Sequence, residues 1–250
     1  MVIAKELKSI YPFESKYFEV GDHKLHYVDE GIGDVIFLIH GNPTWSFYYR
    51  EIIKDLSTKY RVIALDHLGC GLSDKPDYYD YTLANRVHHL TNFINSFQLE
   101  KYSMMVHDWG GAIGFGHATN HASEIHKMII LNTAAFLSTK IPFSISLCKN
   151  KFFGKFLVES LNGFCFPATF MTTTKKLSPL VKSGYLAPYQ NKKNRKAIYE
   201  FVKDIPLDSK HKSFDTLKTI ESKLDLIQCP KLVLWGGRDF CFNDHFYRQW

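Results

Sequence analysis

Five short, nearly continuous apolar runs constrain this chain more than any other feature: residues 35–39, 61–65, 102–106, 128–131 and 231–235. A strand with no polar face is covered on both sides, as in the centre of a parallel sheet held between helical layers. The stretches between the runs keep helical spacing. Residues 44–56 place Trp45, Tyr48, Tyr49, Ile52, Ile53 and Leu56 on one side, and Thr82 is an N-cap for a helix carrying Leu83, Val87, Leu90, Ile94 and Phe97. Strands alternating with helices predict an α/β fold with a mostly parallel sheet flanked by helices. Ahead of them, residues 16–20 and 24–30 alternate around Gly21-Asp22, which predicts a hairpin at an antiparallel edge.

The alternation fails after residue 134 and returns at 231–235. The interval is rich in Phe and Lys and is broken by Asn162-Gly163 and Phe166-Pro167. We read 135–218 as a helical cap inserted into a core formed by 1–134 and 219–250. A chain of 250 residues that is 45% hydrophobic can bury a core of that size as one domain with an insertion.

The formal charge of +6 arises mostly between residues 140 and 223, and reads as a solvated basic face rather than a nucleic-acid or membrane contact. The five cysteines are scattered without a C-x-x-C pair, which argues against a disulfide framework or a zinc site and for a reducing compartment. Charge interrupts the first residues before a signal sequence can form, and no apolar run approaches a membrane span. The expectation is a cytoplasmic protein without a transmembrane segment.

Chemistry concentrates at Val106-His107-Asp108-Trp109-Gly110-Gly111, where an apolar strand runs into an acid and a small-residue helix leaves it. A carboxylate on a sharp strand-to-helix turn faces outward at the positive end of the helix, which suits a nucleophile. A carboxyl group with an ordinary pKa of about 4 is ionised at neutral pH and can attack an electrophilic carbon without a base. Releasing the resulting ester with water calls for a His base and an oxyanion hole. The plainer alternative is that Asp108 merely caps its helix. Two other strand ends, at His40-Gly41-Asn42 and Gly237-Arg238-Asp239, also carry polar groups, and ligands in open α/β sheets bind beyond the carboxyl ends of strands.

These motifs, with the loop 66–76 and Trp235-Gly236-Gly237-Arg238-Asp239, resemble the α/β-hydrolase fold and within it the haloalkane dehalogenase group. Val106 stands where many hydrolases have Gly, a departure the dehalogenases share. The resemblance implies Asp108 as nucleophile, and the Trp109 indole N–H and Asn42 amide as a grip on the leaving group. It implies the backbone N–H groups of Asn42 and Trp109 as oxyanion hole, and Asp239 as the acid that orients a catalytic His. Asn132 occupies the place of an acid found in some members, which favours Asp239. No cofactor or metal is implied.

A closer resemblance spans the chain from about Tyr11. The runs Asn132-Thr133-Ala134-Ala135-Phe136, residues 201–207 and residues 239–246 are similar to the β-lactone decarboxylases of long-chain olefin synthesis, which turn a dialkyl β-lactone into a cis-alkene and carbon dioxide. The ring oxygen then takes the place of halide. This implies a small hydrophobic substrate, olefin-pathway enzymes as possible partners, and a channel for alkyl tails lined by Phe143, Phe152, Phe153, Phe156, Phe164, Phe166 and Phe170. Haloalkane dehalogenase is the alternative. An epoxide hydrolase would need cap tyrosines, with Tyr185 and Tyr189 as candidates, and a ligand-binding relative would have no turnover.

The family's catalytic His lies beyond a final strand, some tens of residues after the acid. His245 is too close to Asp239, His107 points into the sheet, and His40 belongs to the turn before Asn42. We therefore expect a chain lacking the C-terminal strand and helix, and impaired in turnover. A metal at His117, His121 and Glu124 is a lesser alternative, since His at a helix end is favoured electrostatically.

Overall fold

The computed structural model describes residues 5–250. The expectation about the N-terminal segment rests partly on Met1 to Ala4, outside the described residues. A short 3-10 turn, Lys5–Ser9, precedes a seven-stranded sheet. Its strands are β1 (Lys16–Val20), β2 (His23–Glu30), β3 (Val35–Ile39), β4 (Arg61–Leu65), β5 (Tyr102–Asp108), β6 (Ile125–Thr133) and β7 (Lys231–Leu234). The order across the sheet is β1-β2-β4-β3-β5-β6-β7.

The hairpin β1-β2 forms as its alternation and Gly21-Asp22 turn predict, and β2 pairs antiparallel to β4. From β4 onward every pairing is parallel. All five residues of β3 are buried, as two-faced apolar strands require. At the other edge β7 leaves Leu232 and Leu234 exposed.

Helix α1 (Arg50–Leu56) follows β3, and α2 (Leu83–Asn95) starts where the Thr82 hydroxyl accepts a hydrogen bond from the Asn85 N–H. Helix α3 (Trp109–Ala118) leaves β5 directly. The single helix expected over 44–56 is two pieces, because a 3-10 turn at Ser46–Tyr49 precedes α1. The tighter turn brings the Ser46 N–H 2.6 Å from the Asp66 Oδ1, a tertiary hydrogen bond that periodicity does not encode.

Between β6 and β7 lie α4 (Phe143–Lys149), a π-helical turn at Phe156–Ser160, α5 (Cys165–Met171), α6 (Pro179–Leu186), α7 (Lys196–Lys203) and α8 (Phe214–Ser222). Helix α8 packs on α2 and α3, the core helices, so the expected boundary at 218 falls within it. After β7 comes α9 (Asp244–Gln249), and the Trp250 indole N–H donates to the Thr133 carbonyl at the end of β6. No helix of the described residues is long and apolar enough to cross a membrane.

Candidate active site

The parallel register puts the carboxyl ends of β3, β5, β6 and β7 on one side of the sheet, and the expected residues converge there. Asp108 ends β5 at φ 53°, ψ −129°. A non-glycine residue in that region is strained by about 1–3 kcal/mol, so the surroundings must enforce it. They do so by close packing. A Cβ on Gly110 would collide with the Ile39 carbonyl, so only glycine lets α3 start this near β3. The Thr133 hydroxyl donates to the Asp108 backbone carbonyl.

The carboxyl group of Asp108 does not cap α3 through its second or third amide. Instead the Asn42 N–H donates to its Oδ1 at 2.6 Å, and the Trp109 N–H also donates to the carboxyl group. Both amides expected as the oxyanion hole thus meet on the expected nucleophile. Gly41 permits this approach, since a Cβ there would run into the Asp108 carboxyl.

Burial raises the Asp108 pKa to about 7, against the lowering effect of the Trp109 and Asn42 amides, while Asp239 adds to the rise. This corrects the expectation of a carboxylate fully ionised at neutral pH: protonated and ionised forms coexist near pH 7. The folded-state pKa lies above the ordinary 3.8, so folding favours the protonated form. The stability gained from this group is complete below about pH 4 and is lost as pH rises through 7. Asp108→Asn should therefore raise the melting temperature more at pH 8 than at pH 4, by roughly several degrees. Thermal scans at the two pH values test this, and equal shifts would contradict the raised pKa.

The loop that carries the Asn42 amide is fixed from behind by a buried polar lattice. The His40 Nδ1–H donates to the Gly41 carbonyl at 2.8 Å and its Nε2 accepts the His67 N–H at 3.0 Å. The His67 Nε2–H returns a bond to the His40 carbonyl at 2.9 Å. Burial lowers the pKa of both rings, which keeps them neutral and in the tautomers these bonds require. Beside them Asp66 accepts from the amides of Ser46 and Leu72 and pairs with His26 Nδ1 at 2.8 Å. Burial alone would raise its pKa, but the His26 ring and these donors hold it down at about 2. Sequence spacing gave no sign of this lattice.

Asp239 turns on itself, its Oδ1 accepting the Cys241 N–H at 2.7 Å and the Phe242 N–H at 2.9 Å. Asn132 ties this loop to β6: its Nδ2 donates to the Gly236 carbonyl and its Oδ1 accepts the Gly236 N–H at 2.7 Å. Among the described residues no histidine bonds Asp239 or the Asp108 carboxyl. His245 is exposed on α9, and His107 stacks on Tyr48 with centroids 4.5 Å apart. Burial pushes His107 down to about 4.

The residues expected to grip a leaving group sit against α7. Asn42 Nδ2 donates to the Ile198 carbonyl of α7 at 3.2 Å, leaving its second N–H without a protein acceptor among the described residues. The Trp109 ring packs on Phe201 of the same helix with centroids 5.5 Å apart. Phe201 also receives the buried Arg86 guanidinium, 3.3 Å from its ring centroid.

A cleft opens above Asp108, Asn42 and Trp109, walled by apolar side chains that include Ala112, Ile145, Phe164, Val202 and Leu217. Of the seven phenylalanines expected to line it, only Phe164 does. Phe143, Phe152, Phe153, Phe156, Phe166 and Phe170 are instead exposed on the cap. For Phe152, Phe153 and Phe156 the reason is that 150–164 is built of turns and one π-helical turn, with no regular period to aim every aromatic inward, while Phe143, Phe166 and Phe170 lie on the exposed faces of α4 and α5. Phe136, Phe242 and Phe246 supply the other aromatic wall, from the segment after β6, the loop after β7 and α9.

The cap tyrosines are engaged elsewhere. Tyr189 donates to the Thr44 carbonyl at 3.0 Å and accepts the Gly71 N–H, while Tyr185 packs on Phe47, and neither lines the cleft. His117 bonds Thr91 through Nδ1 and Tyr102 through Nε2, and His121 bonds Glu124. Both His117 nitrogens are thus committed to protein partners.

Residues 34–250 match the α/β hydrolase fold family. Over 252 residues the chain is 38% identical to a cis-3-alkyl-4-alkyloxetan-2-one decarboxylase of Shewanella oneidensis, covering 98% of this chain and 79% of that protein. It is 32% identical to haloalkane dehalogenase 2 of Mycobacterium tuberculosis, covering 94% of this chain and 81% of that protein. The crystal structure of a haloalkane dehalogenase from Agrobacterium tumefaciens C58 superposes with a TM-score of 0.84 at 22% identity, covering 94% and 83% of the two chains.

Proposed function

The chain belongs to the α/β-hydrolase fold family, and from that premise we propose that it decarboxylates a cis-3,4-dialkyl β-lactone to an alkene and carbon dioxide, with Asp108 as nucleophile. The observation that carries this reading is the pair of backbone amides on the Asp108 carboxyl at the floor of an apolar cleft.

The amide bond from Asn42 makes the two Asp108 oxygens inequivalent. Oδ1, held by Asn42, becomes the carbonyl oxygen of an ester, and the other oxygen attacks. It attacks C4 of the lactone from the face opposite the ring oxygen. A bond forms from Asp108 to C4, the C4–O bond breaks, and its electron pair leaves on the ring oxygen as a carboxylate. The Trp109 indole N–H and the uncommitted Asn42 N–H stabilise that charge as it develops.

The new carboxylate then lies anti to the Asp108 ester across the C3–C4 bond. Loss of carbon dioxide breaks the C2–C3 bond, its electron pair forms the C3–C4 double bond, and the pair of the ester C–O bond returns to Asp108. Both alkyl groups stay on one side throughout, so the product is the cis-alkene. No proton or water enters, and the apolar walls favour losing a charged carboxylate as neutral carbon dioxide. Asp239, in electrostatic range of Asp108, helps to hold the turn beside the cleft; the reading asks nothing of a His partner to it.

The small hydrophobic substrate matches what the Shewanella relative's name describes, and the apolar cleft supports it. Halide displacement, as in the mycobacterial relative's name, would use the same first step and the same grip. The test is gas chromatography of products from a synthetic cis-3,4-dialkyl oxetan-2-one incubated in ¹⁸O-labelled water. Expected are cis-alkene in many equivalents per enzyme, no label in Asp108, and none of either from Asp108→Asn. A β-hydroxy acid as the main product, or label in Asp108, would replace decarboxylation with hydrolysis.

A further inference from the structure

The phenylalanines that the cleft does not use are exposed along one stretch of the cap. Along residues 143–171, Phe143 and Phe152 are 83% and 94% exposed, and Phe156, Leu161, Phe166 and Phe170 are exposed with them. Lysines are interleaved with these side chains. Lys151 and Lys155 flank Phe152 and Phe153 in sequence and are exposed, and the Lys182 ammonium sits 4.3 Å over the Phe166 ring. Between residues 140 and 199 the only acid is Glu159, whose side chain is buried.

We propose that this face of the cap docks on an anionic lipid surface, with the phenylalanines entering the headgroup region and the lysines meeting the lipid phosphates. Charge complementarity selects this occupant. Single exposed aromatics among cations, in a stretch from 140 to 199 with no exposed acid, match an interface that is apolar within and negative at its rim. A second copy of the chain would bring the same lysines against each other, which repels. The basic excess that reads in sequence as a solvated face is therefore arranged around apolar side chains. The docking face also adjoins the cleft: α4 turns Ile145 into the cleft wall and Phe143 outward, two residues apart. An apolar molecule dissolved in a bilayer would reach Asp108 beside that helix.

The inference does not rest on the reaction, because binding is read without turnover. Vesicle flotation with the full chain should show binding to phosphatidylcholine vesicles containing phosphatidylglycerol, weaker binding to phosphatidylcholine alone, and weakening with added salt. The double variant Phe152→Ser and Phe156→Ser, neither residue lining the cleft, should bind at least about tenfold more weakly, since each phenylalanine loses its apolar burial. Lys151→Glu with Lys155→Glu should remove most of the salt dependence. No binding to the anionic vesicles, or equal binding by the phenylalanine variant, would overturn the proposal. So would a dimer in solution, unable to bind vesicles, that the phenylalanine variant dissolves, which would assign the face to a protein contact.

Discussion

Given a primary bromoalkane, the chain should release about one bromide per molecule and then stop, with the alkyl group esterified on Asp108. Bromide leaves from carbon by the same displacement that opens the lactone, and Trp109 and Asn42 can receive it. The difference lies in the second step. An alkyl ester has no carboxylate to expel, so water must attack its carbonyl, and general-base help for that attack is worth about 10²–10⁴ in rate. The histidines around the site are committed or turned away: His40 and His67 in their mutual lattice, His107 against Tyr48, and His245 exposed on α9. The β-lactone, which carries its own exit, should turn over at least about 10² times in the interval that leaves the alkyl ester intact. Intact-mass spectra should show a single adduct that maps to the peptide containing Asp108 and is missing from Asp108→Asn. Continuous bromide release would mean that the chain activates water after all, and would return haloalkane hydrolysis to first place.

Gly41→Ala should abolish turnover through geometry alone. The three atoms nearest an added Cβ all belong to the Asp108 side chain, so either the carboxyl or the Asn42 amide must move. A displacement of about 1 Å in a reacting group can cost about 10²-fold, and loss of an oxyanion donor costs about as much again. Melting temperature should fall too, because the clash lies in a packed site. Both effects have one partner, which makes a double-mutant cycle decisive. In an Asp108→Gly background the collision is gone, and Gly41→Ala should cost little stability there. An equal cost in both backgrounds would place the strain outside the nucleophile.

The scaffold was legible because parallel strands are written as two-faced apolar runs, and strands β3 to β7 all appear where those runs lie. The elbow was legible for a related reason: an acid between an apolar strand and a glycine-rich helix start leaves few local structures open. The meeting of Asn42 and Trp109 on Asp108 followed from strand order. Other features depend on packing and carry no local signature. The carboxyl of Asp108 is raised by what surrounds it, and nothing in Val106–Gly111 measures that desolvation. The same holds for the His40–His67 lattice, whose members are distant in sequence and bonded largely through backbone atoms. The cap misled in a specific way. A cluster of phenylalanines reads as interior, yet Phe152, Phe153 and Phe156 lie in an irregular segment where no periodicity says which way each ring points, Phe143, Phe166 and Phe170 lie on short helices, and all six are exposed.

Helix α7 gives the cap an unusual hold on the chemistry. Its Ile198 carbonyl occupies one Asn42 hydrogen, its Phe201 packs on the Trp109 indole, and Arg86 of the core packs over the Phe201 ring as well. The side chains proposed to grip a departing group are therefore seated partly on α7 and partly on the core that carries the elbow. Any swing of the cap that widened the mouth would retune the grip in the same motion. Entry of substrate and strength of the leaving-group contacts are thus one linked variable, and a ligand that tightens the contacts must, by reciprocity, latch the cap.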